Sequence, residues 1–521
     1  MRLWIGLYLP QLPLEVFCPN WSSELGGAAG GARCSTASDT PARRWIDGLA
    51  GTVASVVLEH ERVLAMSPLA RAGGVQPGLR RGGVLMLVPD ARLYERSPAR
   101  EAEALNAVAL ALLQYTPLVT QGEESTLLID IGASLRLFGG IGALCRRIRA
   151  SLRALGFSGA LSCAPTARGA WLLARHGGAR SMRMASLTRR LDGLPAALLP
   201  PARPFAAWFD GIGCVNLADL RRLPRPGLQR RCGRALLDVL DAAYGLLPEL
   251  FDWIAAPTTF TAKLELFDRV EHAEALLFGA QRLLVQLTGW LCAHQLAVER
   301  VTLLLEHERG RVACAPTAID IVLAEPTWRE EHLLRLLRER LGTLVLTAPV
   351  IGLCLQAPQV QAMAPPSESL FPEPGGSEQD QLRMLEVLVA RLGPENVLQA
   401  TPQADYRPEL ANLWVPIGQQ IRAAARAAQM PPDVLSLPRP SWLLAKPIAL
   451  LMRNHRPFYG SPLKMASTAE RIEAGWWGQS QTRDYFIAEG LDHAHYWVYR
   501  ERIVGEAADS EPRWYLHGLF G

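Results

Sequence analysis

Residues 122–140 read GEESTLLIDIGASLRLFGG, and this stretch decides the fold of the N-terminal part of the chain. Residues 127–131, LLIDI, have the nearly continuous apolar character of a buried strand, and the Gly139–Gly140 pair ends the segment that follows. A second apolar run, LWIGLYL at residues 3–9, predicts another core strand. Helices predicted around these strands, at 98–115, 142–155 and 167–175, indicate an α+β domain built on this pair.

The length and composition limit the classes of protein that this chain can represent. With 521 residues it is too long for one core, and three or four domains are expected. The net charge of +4 is mild, so any nucleic-acid surface has to be local. The nine cysteines are scattered without a CxxC pair, which argues against structural zinc and a disulfide framework. Prolines interrupt the apolar N-terminus, so we expect a cytoplasmic protein without a membrane span and without a cofactor.

Beyond residue 180 the character of the chain changes three times. Residues 198–245 are helical and contain the turn-like sequence GIG, whereas the chain from residue 263 alternates helices and strands and predicts a separate small two-layer domain. Residues 357–379 are rich in proline and glycine and predict a linker. The tail from residue 455 is rich in aromatic residues and contains strand-like runs, so a β-rich domain is expected at the C-terminus.

Several short sequences occur in an order that is typical of a known family. They are LYLPQLPLE, ARAGGV, YTPLV, LIDIGASLRLFGG, RPSWLL, RIEAGWW, RDYF and WYLHGLFG. The order of parts, with YTPLV and ARAGGV, resembles the Y-family translesion DNA polymerases over residues 3–360. The other sequences, which continue to residue 521, resemble most of all a catalytically degenerate branch of that family from bacterial mutagenesis cassettes. The resemblance implies an α+β multidomain protein: palm and fingers at 1–180 (fingers about 20–98), thumb at 181–260, little finger at 261–360, linker at 361–379 and a C-terminal extension at 380–521.

The resemblance also shows which acidic residues this chain lacks. A nucleotidyl transferase of this type holds two magnesium ions with carboxylate oxygens. The family places these carboxylates at four positions on the two core strands, and here those positions are occupied by non-acidic residues: Gly6, Tyr8, Ser125 and Thr126. The fingers motif keeps Arg71 but has Pro68 in place of tyrosine, and Trp171 stands where the family has a lysine. These replacements predict a polymerase homologue that has lost catalysis.

Two alternatives remain open at this point. Glu123 and Glu124 lie two residues from the missing pair, and a shift of two residues preserves the face of a strand, so they could serve as atypical metal ligands of an active lesion-bypass polymerase, with Asp130 and Glu15 as helpers. The chain could also be a damaged-DNA binding module that makes no contact with a sliding clamp.

The thumb-like region carries the best candidate for DNA contact. The GIG turn, Gly211, Ile212 and Gly213, resembles a helix-hairpin-helix turn, whose backbone amides can approach a phosphate. Arginines that follow it could extend the contact along a DNA backbone: Arg221, Arg222, Arg225, Arg230 and Arg231. We therefore expect modest binding to DNA that does not depend on base sequence.

Two further segments predict protein partners. The linker contains SESLF, which resembles the motif that bacterial polymerases insert into the sliding clamp, and its candidate residues are Ser367, Glu368, Ser369, Leu370 and Phe371. The C-terminal extension concentrates aromatic residues that suit a protein interface: Trp476, Trp477, Trp497, Trp514, Tyr515 and Phe520. The resemblance implies that this extension binds a RecA-like protein and an error-prone polymerase of the replicative type, at damaged DNA.

Overall fold

The computed structural model of this chain describes residues 2–19, 53–308, 315–363, 378–403, 405–417, 438–475, 481–502 and 513–520. The chain divides into two compact units, Met1–Arg391 and Leu392–Gly521. The first unit is a mixture of helices and sheets and the second is rich in β-structure, which confirms the predicted α+β multidomain class with a β-rich C-terminal domain.

The N-terminal part of the first unit contains the palm-like and fingers-like modules. Its elements are β1 (Trp4–Tyr8), α1 (Leu12–Glu15), β2 (Ser55–Glu59), β3 (Arg62–Met66), α2 (Pro68–Ala72), α3 (Arg81–Leu87), β4 (Arg92–Glu95), α4 (Pro98–Leu112), β5 (Val119–Gln121), β6 (Thr126–Asp130), α5 (Ile141–Ala154), β7 (Ala160–Ala164) and α6 (Ala167–Arg175). The palm-like sheet has the order β5-β6-β1-β7, and the fingers-like sheet has the order β3-β2-β4. The two strands predicted from residues 3–9 and 127–131 are therefore neighbours.

The palm-like sheet has two buried faces of different composition. Because side chains alternate along a strand, Ile5, Leu7, Leu127 and Ile129 point to one side, where they form a core with α4 and α5. We call this side the back face. Trp4, Gly6 and Tyr8 of β1, with Thr126 and Leu128 of β6, form the opposite side, which we call the front face. Helix α6 covers the front face.

Five α-helices follow and form a helical module, which we call the thumb-like module. They are α7 (Met184–Asp192), α8 (Ala206–Gly211), α9 (Leu217–Arg222), α10 (Arg225–Cys232) and α11 (Arg234–Ala243). Their buried leucines share one core with α6 and with Trp4 and Leu128 of the front face. The thumb-like module is thus packed on the palm-like sheet through α6.

The next module, which we call the little-finger-like module, combines strands and helices. It contains β8 (Thr261–Val270), α12 (Leu276–His294), β9 (Leu296–His307), β10 (Thr317–Thr327), α13 (Glu330–Thr343) and β11 (Val350–Ala362). The strands form an antiparallel sheet in the order β10-β9-β11-β8, and the two helices pack on it. Strand β11 continues to Ala362, so its last residues are strand where the sequence predicts the start of the linker.

Helix α14 (Glu378–Leu392) belongs with the little-finger-like module up to Arg391, although the sequence analysis placed residues from 380 in the C-terminal extension. Val387 and Ala390 pack on the core of that module. Glu386 also binds it, accepting hydrogen bonds from the backbone amide of Ala324 (2.6 Å) and from Nε2 of His332 (2.5 Å). The predicted boundary differs from the observed one because Val387 and Ala390 form an apolar face, and the sequence does not show which module that face packs on.

The C-terminal unit consists of a small two-stranded sheet and a large antiparallel sheet. Its strands are β12 (Leu398–Pro402), β13 (Asn412–Pro416), β14 (Trp442–Arg453), β15 (Arg456–Tyr459), β16 (Ser461–Pro462), β17 (Lys464–Met465), β18 (Glu470–Ala474), β19 (Gln481–Glu489), β20 (His495–Arg502) and β21 (Trp514–Leu519). Asp484 of β19 is buried in the large sheet and accepts hydrogen bonds from Arg471 (2.8 Å), Arg500 (2.9 Å) and Arg502 (2.8 Å). Burial alone would raise the pKa of Asp484, but the three guanidinium groups hold it well below its usual range.

One helical segment in the described part of the chain, Ala273–His294, is long and apolar enough to cross a membrane by length and composition. In this structure 78% of its most apolar window is buried inside the protein, as in the core helix of a globular domain. Its apolar character is therefore explained by packing within the first unit.

Candidate functional site

The four positions that lack carboxylates lie at one end of the palm-like sheet. In the antiparallel register, Tyr8 stands opposite Thr126, and Gly6 stands opposite Leu128. Ser125 precedes β6, and its carbonyl oxygen accepts a hydrogen bond from the amide of Leu9 at 3.0 Å. The pairing of β1 with β6 therefore brings these positions together.

Helix α6 closes over the front face at Gly6. A Cβ atom at this position would lie 2.5 Å from the carbonyl oxygen of Ala170 and 2.9 Å from Oγ of Ser162. Ser162 in turn donates a hydrogen bond to the same Ala170 oxygen. Because one of the obstructing atoms is backbone, a side chain at position 6 would have to displace the helix. Glycine is required here by the close approach of α6, and the space for an aspartate is absent.

Trp171 of α6 holds the turn between β5 and β6 in place. Thr166 caps the helix by accepting a hydrogen bond from the amide of Gly169, which fixes the start of α6 beside the sheet. The Trp171 ring is fully buried, and its Nε1 donates a hydrogen bond to the carbonyl oxygen of Glu123 at 3.0 Å. The tryptophan that replaces the family's lysine thus contacts the turn that carries Glu123 and Glu124.

Two arginines of α6 stack on aromatic rings at this end of the front face. The guanidinium carbon of Arg175 lies 4.8 Å from the ring centre of Tyr8 and 5.0 Å from that of Trp171. That of Arg168 lies 5.2 Å from the Trp171 ring. These distances are within the range of cation–π attraction. The guanidinium groups of Arg168 and Arg175 therefore place positive charge next to Tyr8 and Trp171.

Glu123 and Glu124 are both paired with arginines. Glu123 contacts Arg168 at 3.3 Å, and Glu124 contacts Arg175 at 2.5 Å and both terminal nitrogens of Arg203. The hydrogen bonds from Arg203, assisted by the charge of Arg175, hold the pKa of the Glu124 carboxyl below its usual range. We call Tyr8, Trp171, Arg168, Arg175 and Arg203, together with these two glutamates, the arginine cluster.

The backbone also keeps the two glutamates away from the strand. Glu124 and Ser125 have φ angles of +55° and +53°, in the left-handed region that non-glycine residues seldom adopt. Both glutamates belong to the turn before β6, so the shifted register that would place them on the strand is not the one observed. Within the described ranges, three or more His, Cys, Asp or Glu residues nowhere gather in a group that could hold a metal ion.

The two acids considered as helpers have other roles. Asp130 accepts a hydrogen bond from the amide of Gly132 at 3.0 Å. Glu15 is buried and accepts hydrogen bonds from the amide and hydroxyl of Ser158. Burial raises the pKa of Glu15 to about 6, against the lowering effect of these hydrogen bonds. Asp130 thus stabilises the turn after β6, whereas Glu15 links the end of α1 to the loop before β7.

The connection from the thumb-like to the little-finger-like module covers the rest of the front face. Phe251 packs on the ring of Trp4 with centroids 4.5 Å apart, and Trp253 stacks on the same ring at 6.0 Å. The amide of Ile254 donates to the carbonyl oxygen of Val119 at 2.9 Å, which extends the sheet beyond β5. Glu249 caps α6 by accepting from the amide of Arg168. No local sequence pattern predicts that this segment covers the sheet, because the contact depends on the path of the connection.

In the thumb-like module the GIG turn is exposed, but part of its arginine set is tied to acids. Gly211, Ile212 and Gly213 all face solvent at the end of α8. Arg221 donates to Asp192 at 2.9 Å, and Arg225 makes two hydrogen bonds to Asp241. These two guanidinium groups stabilise the thumb-like fold and are less available to a phosphate.

The other three arginines are better placed for a phosphate. Arg222 is exposed and reaches Asp219 at 3.4 Å. Arg230 donates to the carbonyl oxygen of Pro226, and Arg231 lies 4.6 Å from the ring of Trp208 in α8, the helix that ends at the GIG turn. Among the described residues neither Arg230 nor Arg231 has a carboxylate partner. The structure thus brings Arg231 to the helix of the GIG turn.

The predicted partner-binding aromatics separate into different environments. Trp497 is 2% exposed and stacks on Tyr485 at 4.2 Å, so it lies in the core of the large sheet and not on the surface where the sequence analysis placed it. Its position in the middle of β20 explains this burial. Trp514, Tyr515 and Phe520 are half-buried, and Trp476 and Trp477 lie outside the described residues.

Two tryptophans that the sequence analysis did not select as binding residues are more exposed. Trp414 on β13 is 64% exposed and Trp442 on β14 is 67% exposed. Trp442 lies in the RPSWLL sequence, where its surroundings gave no sign of exposure. In the described part of the C-terminal unit, Trp414 and Trp442 are therefore more accessible to a partner than the predicted residues Trp497, Trp514, Tyr515 and Phe520.

The candidate clamp segment, Ser367–Phe371, also lies outside the described residues. The chain on either side of it is fixed to one module, since β11 ends at Ala362 and α14 is held by Glu386 on the little-finger-like core. Both elements that flank the segment, β11 and α14, thus pack in the little-finger-like module. Clamp binding by the segment itself stays a prediction.

Comparisons with known proteins agree with the resemblance seen in the sequence. Residues 47–175 match the impB/mucB/samB family. Protein ImuB of Caulobacter vibrioides (strain NA1000 / CB15N) is 26% identical over 86% of this chain and 100% of its own length, and ImuB of the strain ATCC 19089 / CIP 103742 / CB 15 gives the same values. The similarity to ImuB extends through both units.

Among solved structures, the chain is similar to a ternary complex of Dbh with partially disordered substrates, with a TM-score of 0.37 and 14% identity. It is also similar to an insertion ternary complex of Dbh DNA polymerase, with a TM-score of 0.36 and 15% identity. Each match covers 68% of this chain and 98% of the solved chain.

Proposed function

We propose that this chain, an ImuB-like homologue of the Y-family DNA polymerases, is a non-catalytic adaptor in DNA-damage-induced translesion synthesis and mutagenesis. In this role it joins the sliding clamp, an error-prone polymerase of the DNA polymerase III alpha type and an ImuA-type RecA-like protein at damaged DNA. It would act in the cytoplasm at damage sites on the nucleoid, as part of the SOS response. The phosphodiester bond would be made by the partner polymerase.

The observation that supports this proposal is the closed front face. Helix α6 leaves no room for a side chain at Gly6, and the arginine cluster takes up both glutamates of the neighbouring turn. A divalent ion ~5 Å from one guanidinium would be repelled by about 7 kcal/mol at an effective dielectric constant of about 20. With more than one guanidinium present, binding two magnesium ions here would require these arginines to leave.

The DNA contact in this proposal is modest and independent of base sequence. The exposed GIG turn and the arginines at the end of the thumb-like module, Arg222, Arg230 and Arg231, would contact the backbone phosphates. Because Arg221 and Arg225 are engaged by acids, few phosphates would be neutralised, and the dependence of binding on salt should be correspondingly shallow.

Primer extension on the purified full-length chain tests the central part of the proposal. With magnesium or manganese we expect no template-dependent incorporation, and the Glu123→Gln/Glu124→Gln variant should behave in the same way. Incorporation by the unmodified chain that disappears in this variant would favour the alternative, an active lesion-bypass polymerase with Glu123 and Glu124 as metal ligands.

The clamp contact needs a separate test. Pull-down with the sliding clamp should succeed with the unmodified chain and fail with Leu370→Ala/Phe371→Ala, because the two apolar anchors of the motif are removed. Ser367→Ala is a matched control with a smaller expected effect. Undiminished clamp binding by the double variant would remove this segment from the account. Normal damage-induced mutagenesis by it would favour a DNA-binding module without clamp contact.

A further inference from the structure

Helix α12 of the little-finger-like module lies directly on helix α4 of the palm-like module. A Cβ atom at Gly289 would lie 1.9 Å from the carbonyl oxygen of Leu110 and 2.8 Å from Cα of Ala111. Only a glycine permits this approach, because both obstructing atoms belong to the backbone of the neighbouring helix. The two helices therefore touch backbone to backbone at this point.

The same stripe of α12 continues the contact toward its N-terminus. Val285 is fully buried in the core of the back face, with α4 and α5, and not in the core of its own module. Arg282, Val285 and Gly289 are spaced three and four residues apart, so they share one side of the helix. That side is turned toward the palm-like module.

The side of α12 that faces the palm-like module is buried, and even the charged residue Arg282 on it has little contact with solvent. The residue is 8% exposed, and its guanidinium carbon lies 4.7 Å from the ring centre of Phe157, which follows α5. Burial lowers the pKa of this guanidinium to about 10. A charged group pays a large desolvation cost in such a place, so the packing around it has to be favourable enough to offset that cost.

Two ion pairs and the connection extend the contact beyond α12. Arg100 near the start of α4 lies 2.8 Å from Glu265 of β8, and Arg92 of β4 lies 3.5 Å from Asp268. Both pairs are exposed and contribute little energy by themselves. The connection adds Ala256, which packs on the cores of both modules.

From this geometry we infer that the palm-like and little-finger-like modules form one rigid body, joined along α4 and fixed by Gly289. The little-finger-like sheet then keeps a constant orientation relative to the palm-like sheet, and does not turn about the connection at residues 244–260. The inference concerns the fold and is independent of whether the chain catalyses a reaction.

Hydrogen exchange followed by mass spectrometry tests this inference on the full-length chain. In Gly289→Leu we expect the amides of α4 to exchange about tenfold faster or more, because a helix forced off its partner opens locally. The matched control is Gly342→Leu, since Gly342 lies in α13 of the same module and a Cβ there meets no atom within 4 Å. The control should leave α4 unchanged. Equal protection of α4 in both variants would overturn the inference.

A second measurement decides the matter if Gly289→Leu does not fold. Exchange of the unmodified chain is followed at increasing denaturant concentrations below the unfolding transition. One rigid body predicts that α4, α12 and β9 lose protection together. Complete exchange of α4 while α12 and β9 stay protected would show two independent modules and would overturn the inference.

Discussion

Both faces of the palm-like sheet are covered by helices, but the contacts that stabilise the two sides differ. On the front face, α6 approaches the sheet at Gly6, and the space beside it is filled by guanidinium groups, aromatic rings and paired carboxylates. On the back face, α4 carries the little-finger-like module through Gly289, in a contact that is mainly apolar.

The two faces therefore differ in the kind of contact that they make, which is polar on the front face and apolar on the back face. The front face carries Gly6, Tyr8 and Thr126, and the two glutamates beside it are paired with arginines. The back face is mainly apolar, and its packing joins two modules. The front face thus places paired charges beside the strands, whereas the back face joins two modules.

The largest effect is expected from returning a carboxylate to the front face. Gly6→Asp places atoms within the space of the Ala170 carbonyl and buries an unpaired charge, so unfolding in urea should require ~3 kcal/mol less free energy or more. Gly142→Asp is the control, because its position in the first turn of α5 is open and favours an acid. A Gly6→Asp protein as stable as the unmodified chain would show that the front face is not closed.

A smaller loss is expected on the back face. Gly289→Ala introduces one methyl group against the backbone of α4 and should lower the free energy of unfolding by ~1–3 kcal/mol. Gly342→Ala, in an open helical position, should raise it by up to ~1 kcal/mol through helix propensity. If both alanine variants are stabilised alike in denaturant titrations, the contact between α12 and α4 is looser than described.

The carboxyl groups of Glu15 and Glu124 should also make stability depend on pH in opposite directions, with the smallest effects. The pKa of Glu15, raised to about 6 from 4.5, means that the folded state holds a proton longer, so stability present below pH 4.5 is lost as the pH rises to 6. This loss is ~2 kcal/mol for about 1.5 pKa units. The pKa of Glu124 is lowered, so its contribution is present above pH 4.5 and is lost as the pH falls below that value.

Substitution by glutamine separates the two contributions. Unfolding curves between pH 3 and 7 should become flatter for Glu15→Gln between pH 4.5 and 6, and flatter for Glu124→Gln only on the acid side of that window. An unchanged slope between pH 4.5 and 6 in Glu15→Gln would assign the pH dependence to other groups.

Much of this arrangement could be predicted from the sequence because its signals are local. The apolar runs at residues 3–9 and 127–131 predicted the paired strands, and the helical periodicity of residues 98–115 predicted α4. The non-acidic residues Gly6, Tyr8, Ser125 and Thr126 were visible without a structure. Strand β8 was missed, although apolar and polar residues alternate in TAKLEL at residues 261–266.

The remainder depends on contacts between segments that are far apart in sequence. Arg203 reaches Glu124 from the thumb-like module, and Gly289 meets Leu110 across 179 positions, so neither partner could be chosen from local pattern. The burial of Trp497 has the same origin, since it depends on Tyr485 of the neighbouring strand. The position of α14 likewise could not be predicted from its own sequence, because it depends on the contact of Glu386 with His332 of another helix.

The central claim, that the front face no longer holds a pair of divalent ions, is tested most directly by titrating the full-length chain with Mn²⁺ and measuring the free ion by electron paramagnetic resonance. The account predicts the same binding curve for the unmodified chain and for Glu123→Gln/Glu124→Gln, because both carboxylates are already paired with arginines. Binding of two Mn²⁺ ions that is lost in the double variant would contradict it.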